Sequence, residues 1–236
     1  MTTDPWTDRR RWQVSVGGVL AVLVVSNVVS NRALPAWAYV PWNLAAAAAI
    51  VALARPSVSL QLMGFTQWRR GAAWGAVLFI VTAALLALSI TMPVFNEMYR
   101  DRRVGAGTAT WLYQVFLRIP LGTAVLEETA FRAVLPALFL ARWGVLRGCF
   151  LASLCFGAWH VLPALGLNEV NPVATRVFGT GAGGVAAAVV FAVTGTAVAG
   201  MWWCWIRYRA RSVLATVIAH VASNSVAYTI AWLLTR

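Results

Sequence analysis

Five stretches of this chain run for twenty residues or more without an Asp, Glu, Lys or Arg: 12–31, 33–54, 71–96, 177–206 and 212–235. A helix needs about 20 apolar residues to cross a bilayer core of roughly 30 Å, so each stretch is long enough to span. Two more, 111–141 and 148–167, qualify once a few embedded polar residues are allowed. The expected fold is therefore all-α, a polytopic membrane helix bundle of about seven to eight transmembrane helices. A soluble fold would need a polar shell, and only 11% of the 236 residues are charged, at a mean hydropathy of +0.73. No internal repeat or long linker divides the chain. It reads as one integral membrane domain, 1–236, with its polar motifs gathered in 111–236.

The charge balance says what kind of surface the chain meets. All nineteen cationic residues counted as Lys+Arg are arginine, and the net charge is +12. They are scattered among short loops and span ends and form no single stripe, which points to a bilayer with anionic headgroups and not to nucleic acid. With the N-terminus inside, Arg9 to Arg11, Arg55, Arg69, Arg70, Arg142, Arg147, Arg207, Arg209 and Arg211 all fall on the cytoplasmic side. About eleven arginines lie inside and about six outside, although Arg100, Arg102 and Arg103 argue the other way. The expected location is a cell membrane, multi-pass, with the N-terminus cytoplasmic. The lysine-free, Ala- and Val-rich composition suggests a bacterial inner membrane. The first span follows "DRRRW" but lacks a small-residue cleavage site before Arg32, so it reads as an uncleaved signal-anchor. The segment between Arg55 and Arg70 suits an interfacial amphipathic helix. "MWWCWIRYR" suits an aromatic belt at headgroup level. Cys149, Cys155 and Cys204 lack metal or disulfide spacing and read as packing residues.

Of the seven acidic residues, Asp4, Asp8, Glu97, Asp101 and Glu169 fall in expected loops or tails, and only Glu127 and Glu128 fall in a span. Both histidines, His160 and His220, also lie in spans. A charged residue at a helix centre costs about 2.5–3.5 kcal/mol on insertion scales, whereas each Leu, Ile, Val or Phe returns about 0.3–0.6 kcal/mol. Glu127, Glu128 and Arg132 should therefore face the bundle interior or a wet cavity. Glu128 and Arg132, four apart, share a helix face in the favoured order for an ion pair. Glu127, rotated about 100° from Glu128, lies over Phe131. Its more apolar setting and charged neighbour should raise its pKa, which suits a general base near neutral pH. Phe156 and His160 are one turn apart, as are His220 and Asn224. Two carboxylates, two imidazoles and a carboxamide from three spans could meet at one point. Intramembrane Glu and His also mark proton pathways, so a proton-coupled transporter or channel is a rival reading.

These residues match a family pattern. The chain resembles the CAAX-protease and bacteriocin-processing (CPBP, or Abi) family of intramembrane endopeptidases. The motifs of that family, E-E-x-x-x-R, F-x-x-x-H and H-x-x-x-N, stand here as Glu127-Glu128-x-x-x-Arg132, Phe156-x-x-x-His160 and His220-x-x-x-Asn224, in that order. Ala133 stands where many members carry Gly. The resemblance implies hydrolysis of peptide bonds in a membrane-tethered peptide or protein. Glu127 and His160 would activate water, His220 and Asn224 would stabilise the oxyanion, and Glu128, held by Arg132, would orient the site. It leaves open a divalent metal such as zinc, for which Glu127, His160 and His220 would be the ligands. It also leaves open a non-catalytic self-immunity protein built on the same motifs.

Overall fold

The computed structural model describes residues 5–105 and 107–236, so Asp4 lies outside the described residues. Six helices among the described residues are long and apolar enough to cross a membrane. They are α1 (Pro5–Arg32), α2 (Tyr39–Ala54), α3 (Trp68–Ser89), α4 (Thr108–Trp159), α5 (Ala182–Ala210) and α6 (Val213–Leu234). Asp8, expected in the N-terminal tail, lies within α1. A straight helix of α4's 52 residues would measure about 78 Å, more than twice the hydrocarbon thickness. It does not run straight. Gly144, with φ at +78°, breaks it into two arms, and the chain turns back on itself there. A Cβ on Gly148 would lie 2.9 Å from the backbone nitrogen of Leu140, so the arms can touch only because that residue is glycine. Six helices thus make seven passages, in line with the count of apolar runs.

Side chains on the outer helices face outward. Val24, Leu85, Phe191 and Val198 are all exposed, as suits a lipid boundary. The first arm of α4 behaves differently, because every residue from 126 through 139 is buried. Its neighbours reach it by specific contacts. Trp12 of α1 donates to the Leu138 carbonyl at 2.8 Å, and Ser225 of α6 donates to the Val115 carbonyl at 3.0 Å. Cys204 of α5 approaches the Phe131 carbonyl at 3.7 Å. A helix surrounded by helices is where a membrane protein can keep ionised side chains away from acyl tails.

Contacts also define the two ends of the bundle. At one, Arg142 stacks on Trp12, Arg70 donates to the Arg209 carbonyl at 2.9 Å, and Arg207 bonds the Leu62 carbonyl. At the other, Tyr113 donates to the Ala36 carbonyl at 2.7 Å, Arg102 bonds the Glu169 carbonyl and Arg176 pairs with Glu97. The segment between Arg55 and Arg70 is not the amphipathic helix expected. Before α3 begins at Trp68, only Leu60–Met63 is helical, capped by Ser59 and stopped at Gly64, and Met63 is fully buried. Four residues are too few to lay an apolar face on a membrane, and the segment instead runs mostly exposed across the bundle end, with Val58 and Met63 turned into it.

Candidate active site

Glu127 and Glu128 sit on a single α-helical turn between two π-helical stretches of α4, Gln114–Ala124 and Thr129–Val134. The first stretch contains Pro120, which has no N–H to bond the carbonyl four residues back. The chain adopts i→i+5 pairing instead, and the N–H of Val125 bonds the carbonyl of Pro120. A third π stretch, Ala222–Val226, follows His220 and carries Asn224. All three lie beside the ionisable residues, where such irregular turns commonly occur.

The expectation that these charges avoid lipid holds: Glu128 is 0% exposed, Arg132 1%, Glu127 8% and His220 8%. The partner of Glu128 differs from the one its helical spacing favours. Its Oε1 accepts a 2.8 Å bond from Nδ1 of His220, 92 residues away, whereas Oε2 lies 3.5 Å from Nε of Arg132. The Arg132 ion pair is thus a contact and not a hydrogen bond. The guanidinium lies 3.8 Å over the ring of Phe156, a cation–π contact that ties the first motif to the second.

Since Glu128 is an acceptor, His220 carries a proton on Nδ1. Its Nε2 lies 3.0 Å from Nδ2 of Asn224 and 3.9 Å from Oε2 of Glu127. His160 donates from Nδ1 to the Phe156 carbonyl at 2.8 Å, which leaves Nε2 as the basic nitrogen. Glu127, Arg132, His160, His220 and Asn224 all line one cavity of about 760 Å³. Of the seven motif residues, Glu127, Glu128, Arg132, Phe156, His220 and Asn224 form one contact network, and His160 joins it through the Phe156 ring, 4.6 Å away.

The motifs missed Trp159. Its indole N–H donates to Oε1 of Glu127 at 3.0 Å, while its carbonyl accepts from Asn27 of α1 at 2.8 Å. The available signal was a tryptophan next to an in-span histidine, since a buried indole N–H needs an acceptor. Glu127 is thereby held by one oxygen with the other left toward the cavity.

A metal fits this donor set poorly. Nε2 of His220, the nitrogen that faces Glu127, is engaged by Asn224, whereas the Nδ1 bonds of the two histidines are of the kind that orients an imidazole ligand and leave Nε2 of His160 free. Among the described residues no three His, Cys, Asp or Glu side chains are grouped to hold an ion. Glu127, His160 and His220, the ligand set a zinc would need, do not form one as arranged.

The cavity opens at the end of the bundle that holds Asn31, Tyr39 and the 98–104 loop. That loop is latched. Asp101 pairs with Arg103 at 2.8 Å and accepts from Asn171, which also donates to the Met98 carbonyl. Burial alone would raise the Asp101 pKa, but the bonds from Arg103 and Asn171 outweigh it and hold the carboxyl below its ordinary value. The latch is then complete above the ordinary carboxylate range near pH 4 and is lost as pH falls through the lower folded-state value. Amide exchange at residues 102–104, corrected for intrinsic rate, should be slow at roughly pH 5 and fast near pH 2. Equal protection at both would mean that Asp101 does not hold the loop.

A family model, type II CAAX prenyl endopeptidase Rce1-like, matches residues 109–226, half of the chain and all three motifs. The chain belongs to this family. Membership in the Rce1-like endopeptidases makes it an intramembrane protease at the level of the family, and the buried Glu127, Glu128 and His220 fall within the matched residues. No curated protein and no solved structure matches the chain.

Proposed function

We propose that this endopeptidase hydrolyses a peptide bond of a membrane-tethered substrate by general-base attack of water. Glu127 takes a proton from a water held between its free Oε2 and Nε2 of His160. The hydroxide attacks the scissile carbonyl carbon, and the oxyanion accepts a hydrogen bond from the second N–H of Asn224 Nδ2, while His220, through its Nε2, takes the first and holds the carboxamide in place. Glu127 then passes its proton to the departing nitrogen as the C–N bond breaks, leaving a carboxylate and an amine. Glu128 positions His220 and does not touch substrate. The observation that carries this reading is the short chain Glu128–His220–Asn224 beside Glu127 in one cavity. Family membership favours it over proton-coupled transport, whose Glu and His would serve a pathway and not a scissile bond. Purified protein in liposomes should cleave at least one of a panel of membrane-tethered peptides. Proton flux without any cleavage would overturn the proposal in favour of the transporter.

The orientation we propose follows the arginine count, with the eleven-arginine end cytoplasmic. The cavity mouth then opens on the opposite side, and the substrate arrives there. In spheroplasts, Trp37→Cys, 78% exposed at the mouth end, should react with an impermeant maleimide, while Arg55→Cys should react only after lysis. The reverse pattern would put the mouth in the cytoplasm, where lipidated C-terminal peptides would be the natural supply.

A further inference from the structure

Away from the catalytic cavity, at the end of the bundle where Arg142 stacks on Trp12, a groove of about 440 Å³ runs between α1 and α2. Its walls are Val14 of α1 with Ala52, Leu53 and Pro56, and the exposed Arg10 and Arg11 complete its lining. The sequence makes this gap. The Ser15 hydroxyl donates to the Leu53 carbonyl at 2.8 Å and lies 2.9 Å from that of Ser57, which draws the two helices together at one level. Beside that contact Ala52 is too small to fill the space, and α2 ends at Ala54, so the chain turns away at Pro56. Val14 is left 64% exposed as a wall of the groove.

Charge decides what fits. Among the described residues, neither Arg10 nor Arg11 has a carboxylate within ion-pair distance, and Arg55, next to Pro56 in the chain, has none either. Cations beside an open apolar channel match a molecule with a phosphate at one end and hydrocarbon at the other. Guanidinium forks bind phosphate oxygens in pairs, and basic pockets between transmembrane helices hold anionic headgroups. Soluble phosphate would satisfy the arginines and leave the apolar walls uncovered. A zwitterionic lipid would cover the walls and leave the positive charge unmatched.

We infer that the groove between α1 and α2 is a binding site for one anionic phospholipid, with its phosphate on Arg10 and Arg11 and an acyl chain against Val14, Ala52 and Leu53. The bound lipid holds α1 against α2. In turn α1 braces α4, since Trp12 bonds the Leu138 carbonyl and Asn27 bonds the carbonyl of Trp159, the residue that fixes Glu127. The lipid site stands independently of the endopeptidase reading.

The test titrates the full chain, delipidated in detergent, with palmitoyl-oleoyl-phosphatidylglycerol and with the matching phosphatidylcholine, and counts bound lipid by native mass spectrometry. One phosphatidylglycerol should bind roughly tenfold more tightly than phosphatidylcholine, the scale expected of two arginines at a headgroup. It should also raise the Tm of the unaltered chain. Arg10→Gln combined with Arg11→Gln should bring the two lipids close to parity and abolish the rise in Tm. Ala52→Trp, which fills the groove and keeps both charges, should lose the bound lipid as well. Arg69→Gln combined with Arg209→Gln makes the same charge change elsewhere at that end of the bundle and should leave the preference intact. An equal loss in that control would assign the preference to diffuse surface charge and overturn the site, as would a preference that survives the Arg10 and Arg11 changes. Glycerol phosphate that displaces the lipid at equal concentration would leave an anion site without an acyl groove. A dimer that excludes phosphatidylglycerol would give the groove to a second copy of the chain, and either result would overturn the lipid site.

Discussion

Glu127→Gln should lower cleavage by about 10²–10⁴-fold in kcat while leaving the protein folded, since loss of a positioned general base costs that much. Glutamine keeps an oxygen at the place where Oε1 accepts the Trp159 indole N–H, so the contact that fixes the side chain can survive. What it loses is the capacity to take a proton from water. Trp159→Phe removes the indole N–H and leaves the carboxylate, and it should give a much smaller loss that appears as a shifted pH–rate profile. The measurement is single-turnover cleavage of the membrane-tethered peptide, with thermal unfolding as the control for folding. A Glu127→Gln protein that cleaves within threefold of the unaltered chain would show that another group activates the water.

The second large effect is on stability. Arg132→Ala leaves Glu128 fully buried with His220 as its remaining partner and removes the cation from the face of Phe156. Breaking one side of a buried charge pair costs about 3–5 kcal/mol, because the other side cannot regain water. In a chain of this size that is a drop in Tm on the order of 6 °C or more. Arg132→Lys should rescue little, because an ammonium on a flexible stem does not reproduce the planar stack. Combining Arg132→Met with Glu128→Gln should recover a good part of the loss, since no unpaired charge remains. A single Arg132→Ala protein that melts within about 2 °C of the parent would mean that the guanidinium is not held by this pair.

Much of the bundle and half of the site were legible before any coordinates. Apolar runs set the number of passages, because a bilayer offers no partner to a backbone or a charge and the length requirement is strict. The cost of an ionised group in hydrocarbon likewise placed Glu127, Glu128 and Arg132 inside. What could not be read was partnership. The i,i+4 rule sees Arg132 beside Glu128 but cannot see His220, which comes from another helix. The segment after Arg55 misled for a related reason: its mixed polarity fitted a helix at the interface, while the fold makes it a largely exposed connection pinned by Val58 and Met63. Only the tertiary structure brought Trp159 to one oxygen of Glu127 and set Asn224 against His220. Spans and buried charge follow from the solvent, which acts on each segment by itself. The site follows from which helices are neighbours and how fast each one winds, and those depend on packing between segments far apart in the chain.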